Sequence, residues 1–216
     1  MLQIISGKFF GTGEIIHNEC NGILYSNASF HAMKPIEYGN IKINTVDWNP
    51  GYPCYVFSYD NCIERTPKTG ILVKIGDNVV IEQLKYILSF SMDAIFDENE
   101  SKVEELCRQG SVSENNISSY VDKTFEKHRN LNEEDWKKSI EFYNKMLNLP
   151  RDEYKVVMKC LAAYHASFSV FNRDISLAYS ILVYALETLC GNFDEYTTSW
   201  NDYDQNIKKK LRCSIR

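Results

Sequence analysis

Residues 174–193 read DISLAYSILVYALETLCGNF, and after the opening Asp174 they hold a single carboxylate, Glu187, in a run that is mostly apolar. Wound as a helix, the run places Ser176, Ser180, Tyr184 and Glu187 within roughly 80° of one another, while Leu, Ile and Ala fill much of the remaining surface. An ionised carboxylate buried alone in such surroundings is costly. Glu187 is therefore expected to reach water near the helix end, to pair with a cation, or to line a groove between helices. His165 is the second group able to do chemistry. It stands at i+4 from Leu161 and i−3 from Phe168 on the apolar face of a preceding helix, the position of a core histidine or of an acid–base catalyst. Asp202 and Asp204 precede five cations in the last nine positions. Two such acids suit a metal or acid–base role, and they equally suit the solvated start of a helix.

Several chemistries lack their residues. His17, His31 and His128 share no metal-ligand spacing with one another, and HExxH is absent. The Gly11–Gly13 GTG has no third glycine opening a helix and no lysine–serine pair, so it is expected to be a turn, not a phosphate loop. No GxSxG supplies a nucleophile elbow. No metal and no cofactor is expected.

The elements that must position these groups fall into two compositional halves. With 216 residues, 44% of them hydrophobic and 25% charged, the chain can bury a sizeable core. Its net charge of −5 gives no global basic excess for phosphate backbones, so a nucleic-acid partner would need a local patch. Seven scattered cysteines with no CxxC read as reduced thiols in a cytoplasm, and no uninterrupted apolar run of about 18 residues predicts a membrane span.

Over roughly the first 78 residues, short β-branched and aromatic runs such as GILYSNASF, IKINTV and YPCYVFSY alternate with turn-rich WNPGYP and RTPKTG, predicting antiparallel strands. Ile81, Leu84, Leu88, Met92 and Ile95 then fall at helical spacing, predicting one helix that closes a β-rich domain over 1–97. Residues 98–130 are polar and read as a linker with a short helix at ESKVEELCR. Residues 131–216 are expected to be helical: one helix capped by Asn132, one opening at Pro150, the apolar one capped by Asp174 and ended by Gly191, and a last one in EYTTSWNDYDQNIKKKL. The fold class that follows is α+β, an N-terminal antiparallel β-rich domain followed by a C-terminal helical bundle.

The segment FNRDISLAYSILVYALETLCGNFDEYTTSWNDYDQNIKKKL resembles the opening of the helical domain in the Apea-like branch of the HEPN superfamily. The matching features are Asp174 opening a helix, the LVYALETL core with Glu187, and Trp200 with Asp202 and Asp204 downstream. TGILVKIGD and IEQLKYILSFSMDAIFD are similar to the front end of bacterial proteins carrying that domain. The resemblance implies an often dimeric bundle and, in active members, a metal-independent ribonuclease of toxin or antiphage systems. Its chemistry rests on an arginine followed, four to six residues later, by a histidine. The arginine stabilises a phosphorane and the imidazole moves protons. Glu187 would match the family's acid and His165 stands as a second catalytic candidate, with Asp174, Trp200, Asp202 and Asp204 as binding residues. None of the seven arginines has a histidine at that spacing. The expectation is an incomplete HEPN-like bundle, shortened at its C-terminus and inactive alone, with RNA as partner only if the domain is complete. The alternative is a non-catalytic interaction module whose apolar helices bury against a protein partner or a second copy, without a membrane.

Overall fold

The computed structural model describes residues 14–17, 19–30, 36–38, 41–46, 51–60, 63–65, 72–73, 77–111, 124–171 and 173–193. Strands β1 (Glu14–Ile16), β2 (Glu19–Ser26), β3 (Ala28–Phe30), β4 (Ile36–Tyr38), β5 (Ile41–Val46), β6 (Cys54–Asp60), β7 (Ile63–Arg65) and β8 (Leu72–Val73) come first. They are followed by α1 (Asp77–Ser91), β9 (Phe96–Asp97), α2 (Glu100–Ser111), β10 (Arg129–Leu131), α3 (Glu133–Asn148), α4 (Arg151–Phe171) and α5 (Ile175–Phe193). This is an α+β fold with an antiparallel N-terminal sheet followed by helices.

The main sheet has the order β4-β5-β6-β2-β9, and every pairing in it is antiparallel. Alternation explains which face is covered. Ile41 and Ile43 of β5, Tyr55, Phe57 and Tyr59 of β6, and Cys20 and Leu24 of β2 are buried, while Lys42 and Asn44 between them are exposed. The register sets Ile41 beside Tyr59 and Ile43 beside Phe57, so the inward side chains form one apolar surface. Helix α1 lies on it through Val80, Ile81, Leu84, Ile87 and Leu88. Gly22 permits the approach, because a Cβ there would stand 1.9 Å from Ile81 Cδ1.

The sequence predicts α1 running to Phe96, and the structure ends it at Ser91. Met92 N–H still donates to Leu88 O, but Asp93 adopts φ 49° and Ala94 N–H turns back to Ser89 O. That left-handed residue reverses the chain into β9, where Phe96 and Asp97 pair with Ser26 and Tyr25. Met92, Ile95 and Phe96 nevertheless remain buried, so the apolar spacing outlives the helix.

Packing crosses the polar stretch between the two compositional halves. Asn27, fully buried, donates through Nδ2 to the carbonyls of Thr124 (2.8 Å) and Glu126 (2.7 Å) and accepts at Oδ1 from Ile95 N–H (2.8 Å). Beside it β10 pairs in parallel with β3, and Arg129 binds Asp93 through its carboxylate at 3.2 Å and its carbonyl. Asn132 then caps α3 as expected, accepting from Glu134 N–H and Asp135 N–H while Asp135 returns the bond to Asn132 N–H. One core cluster continues from the sheet through α1 to Tyr143 and Met146 of α3 and Tyr154, Met158 and Leu161 of α4.

Candidate functional site

Helix α4 carries His165 into this core. The ring is 4% exposed, its Nε2–H donates to Phe96 O at 2.9 Å, and it lies against the rings of Tyr86 (5.4 Å) and Phe168 (5.5 Å). Burial pushes its pKa down to about 4; the Phe96 carbonyl and the Asp97 charge pull the other way, and Lys85 and Lys102 add to the depression. His165 is thus a neutral imidazole that ties α4 to β9, with its described contacts all inside the protein.

A charged cluster surrounds the same strand. Asp97, buried, accepts from Asn99 N–H at 3.1 Å and lies 3.2 Å from Lys102 Nζ and 3.8 Å from Lys85 Nζ. Lys85 also reaches Glu98 at 3.6 Å and sits over the Tyr86 ring. Asp97 Oδ2 has no directional hydrogen bond, so its ion pairs with the two lysines are what offset its burial. Sequence spacing did not single out this cluster, because it joins α1, β9 and α2 across a turn.

Helix α5 carries the other candidates. Asp174 caps it, accepting from Leu177 N–H at 2.9 Å, as the N-cap expectation requires. Its C-terminus differs from expectation: the helix runs through Gly191 to Phe193, and Gly191 has open space where a Cβ would be. Leu- and Ala-rich composition supports helix here without demanding a tight end. Ser180, Thr188 and Asn192 turn their polar atoms back onto the helix, to the carbonyls of Ser176 (2.8 Å), Tyr184 (2.8 Å) and Thr188 (2.7 Å). Glu187 is exposed, with Ser176, Ser180 and Tyr184 exposed on the same stripe. Of the three settings open to it from sequence, Glu187 takes the one in water.

The structure does not bring Glu187 and His165 into one site: the first points to solvent from α5, the second into the core towards α1 and β9. Arg173, next to the cap, is engaged with Glu105 at 3.1 Å. Trp200, Asp202 and Asp204 lie outside the described residues, as do the last expected helix and the GTG turn.

What α5 does present is apolar surface. Only Ala178 and Ala185 are buried, against α4, where Cys160 Sγ donates to Ala185 O at 3.2 Å. Ile175, Leu177, Tyr179, Tyr184, Leu186 and Phe193 are exposed. No uninterrupted apolar run marks this helix as a span, yet by length and composition alone it is the one helix among the described residues long and apolar enough to cross a membrane, and Glu187 and its hydroxyl-bearing neighbours make it only weakly apolar. No family model, no curated protein and no solved structure matches the chain.

Proposed function

We propose that the chain is a protein-association module whose contact surface is the outer face of α5, working in a reducing compartment such as the cytoplasm. One observation carries this: a 19-residue helix of mainly apolar side chains buries only two of them, both alanines. Contiguous exposed apolar surface of this kind marks interaction sites. Among the described residues, Cys54, Cys107, Cys160 and Cys190 are free thiols, which fits the compartment. The test is the size of the tagged chain in its native cell extract, beside a Tyr179→Ser, Leu186→Ser variant. The parent should elute above the size of one copy and the variant at it, with equal melting temperatures. Parent and variant both eluting as single copies would refute the proposal.

RNA targeting by a HEPN-like bundle is the second role we consider, and the exposed Glu187 stripe is what favours it. With His165 inside the core, the basic half of such a centre would have to come from elsewhere. Cleavage of labelled RNA by the parent but not by a Glu187→Ala variant would support this role. Equal signals from the two would remove it.

A further inference from the structure

The exposed surface of α5 has a regular spacing. Ile175, Tyr179, Leu182, Leu186, Leu189 and Phe193 follow one another at intervals of four, three, four, three and four residues. This is the repeat by which one helix meets another with knobs in holes over its whole length, about 28 Å here. It is distinct from the Ala178–Ala185 face that α4 already covers. Ile175 is 57% exposed, Tyr179 69%, Leu186 61% and Phe193 49%, with Leu182 and Leu189 half-buried at the edge. The described residues leave Ile175, Tyr179, Leu186 and Phe193 of the seam exposed.

We infer that the occupant is a second copy of this chain, its α5 packed antiparallel on the first about a two-fold axis level with residue 184, so that α4, α5, α5 and α4 of the pair form a four-helix assembly. The inference rests on the association reading of α5 and names its partner. Three features of the seam select a copy of itself. The six positions hold no carboxylate and no basic group, and Glu187 stands roughly 100° round the helix from Leu186, so nothing on the seam calls for a partner of opposite charge. The spacing is also symmetric about residue 184. An antiparallel copy sets Ile175 against Phe193, Tyr179 against Leu189 and Leu182 against Leu186, pairing an aromatic with an aliphatic side chain in both outer layers. A parallel copy would stack Tyr179 on Tyr179 and Phe193 on Phe193, giving layers of unequal thickness, and would align the helix dipoles. The third feature is area: with a large apolar side chain contributing on the order of 200 Å², the four exposed seam residues present on the order of 500 Å² per copy. Two copies then bury on the order of 1,000 Å², the size at which specific interfaces begin.

Sedimentation velocity on the purified full chain tests this. The parent should sediment as a dimer and Leu186→Glu as a monomer, with unchanged helical content and melting. Ile175→Glu and Phe193→Lys, both at exposed positions and each matched to the helix dipole, should separately weaken the dimer by about tenfold or more. Combined in one chain they should restore it to within about threefold, because only the antiparallel arrangement sets 175 opposite 193. A parent dimer that the combined variant fails to restore overturns the antiparallel arrangement. A purified parent that stays monomeric overturns the second copy. If that same parent is enlarged in extract, the association face stands with a different protein on it. If it is a single copy in extract and binds phosphatidylcholine vesicles, both proposals fall and the face belongs to a bilayer.

Discussion

Lowering the pH should unfold this protein through His165 before most surface groups contribute. In the folded chain the imidazole titrates at about 4, against 6.5 for the unperturbed group. Between those values the unfolded chain binds a proton that the folded chain refuses, so stability falls as pH falls. The contribution is fully present above about 6.5, declines through the window and is spent near 4. A shift of two to three units at about 1.4 kcal/mol per unit makes the loss on the order of 3 kcal/mol, a large share of the ~5–15 kcal/mol that holds a typical domain. The cause is desolvation: the ring sits among Tyr86, Phe168 and the Phe96 carbonyl, and that carbonyl accepts one N–H without balancing a full positive charge. Among the described residues the acid that acts on the ring is Asp97, and Lys85 and Lys102 stand against it. Urea unfolding of the parent at pH 7.5, 5.5 and 4.5 should show the loss, and His165→Gln, which keeps a donor towards Phe96, should lack most of it. Carboxylates titrating below pH 5 affect both proteins alike, so the difference between the two slopes isolates the ring. Equal slopes, or a His165 ring resonance that titrates near 6.5, would refute the account.

Two further perturbations test the scaffold. Gly22→Ala places a methyl group 1.9 Å from Ile81 Cδ1, and the flexible end of Ile81 can yield only by leaving its rotamer; a loss of about 1–3 kcal/mol is expected in chemical unfolding, and much less when Ile81→Ala is already present. Asn27→Ala removes two buried hydrogen bonds and one part-buried bond that join the end of β2 to the turn before β9 and to the residues before β10, leaving two carbonyls and one N–H without their partner; the melting temperature should drop by an amount corresponding to about 3 kcal/mol, and Asn27→Asp, which retains the acceptor but not the donors, should lose nearly as much.

The sheet and helices were legible because their signals are local. Alternation marks β5 and β6, and apolar spacing marks α1, where Ile81, Leu84, Leu88, Met92 and Ile95, the five residues expected to face inward, are all buried. Asn132 and Asp174 were legible as caps because a cap acts on N–H groups two or three residues away. Features set by partners far along the chain were not. Asn27 reads as one more residue of the strand-like run GILYSNASF until Thr124 and Glu126, 97 and 99 residues on, close around it. The end of α1 was hidden because Met92, Ile95 and Phe96 stay buried on either side of the turn at Asp93, Met92 and Phe96 in the core under the sheet and Ile95 in a second cluster with Val103 and Phe125. For Glu187 and His165 the sequence gives residue type and helical face. Which face meets water depends on the packing of α4 against α1 and β9.

That packing also explains why α5 is separable from the fold. Helix α4 turns Tyr154, Met158, Leu161 and His165 towards α1 and the sheet, and Tyr154 Oη donates to Gln83 Oε1 of α1 at 2.9 Å. The stabilising contacts of α4 are therefore complete on one side. Against its other surface α5 fully buries only Ala178 and Ala185, seven residues apart, with Ile181, Leu182, Val183 and Leu189 half-buried beside them, so its large exposed side chains add nothing to the core. Substituting the outer face of α5 then removes apolar surface that no described residue covers, so the fold should tolerate Leu186→Glu while any assembly that uses the face should not. A core position such as Leu161 offers no such separation, since a charge there would unfold the protein and abolish assembly together. The same geometry sets the order in which acid should act: protonation of His165 loosens α4 from β9 first, and the α5 surface, which rides on α4, loses its support only as a consequence. Assembly measured against pH should accordingly persist down to the onset of the His165 transition and fail with it, whereas a surface held by its own titrating groups would fail independently of the fold.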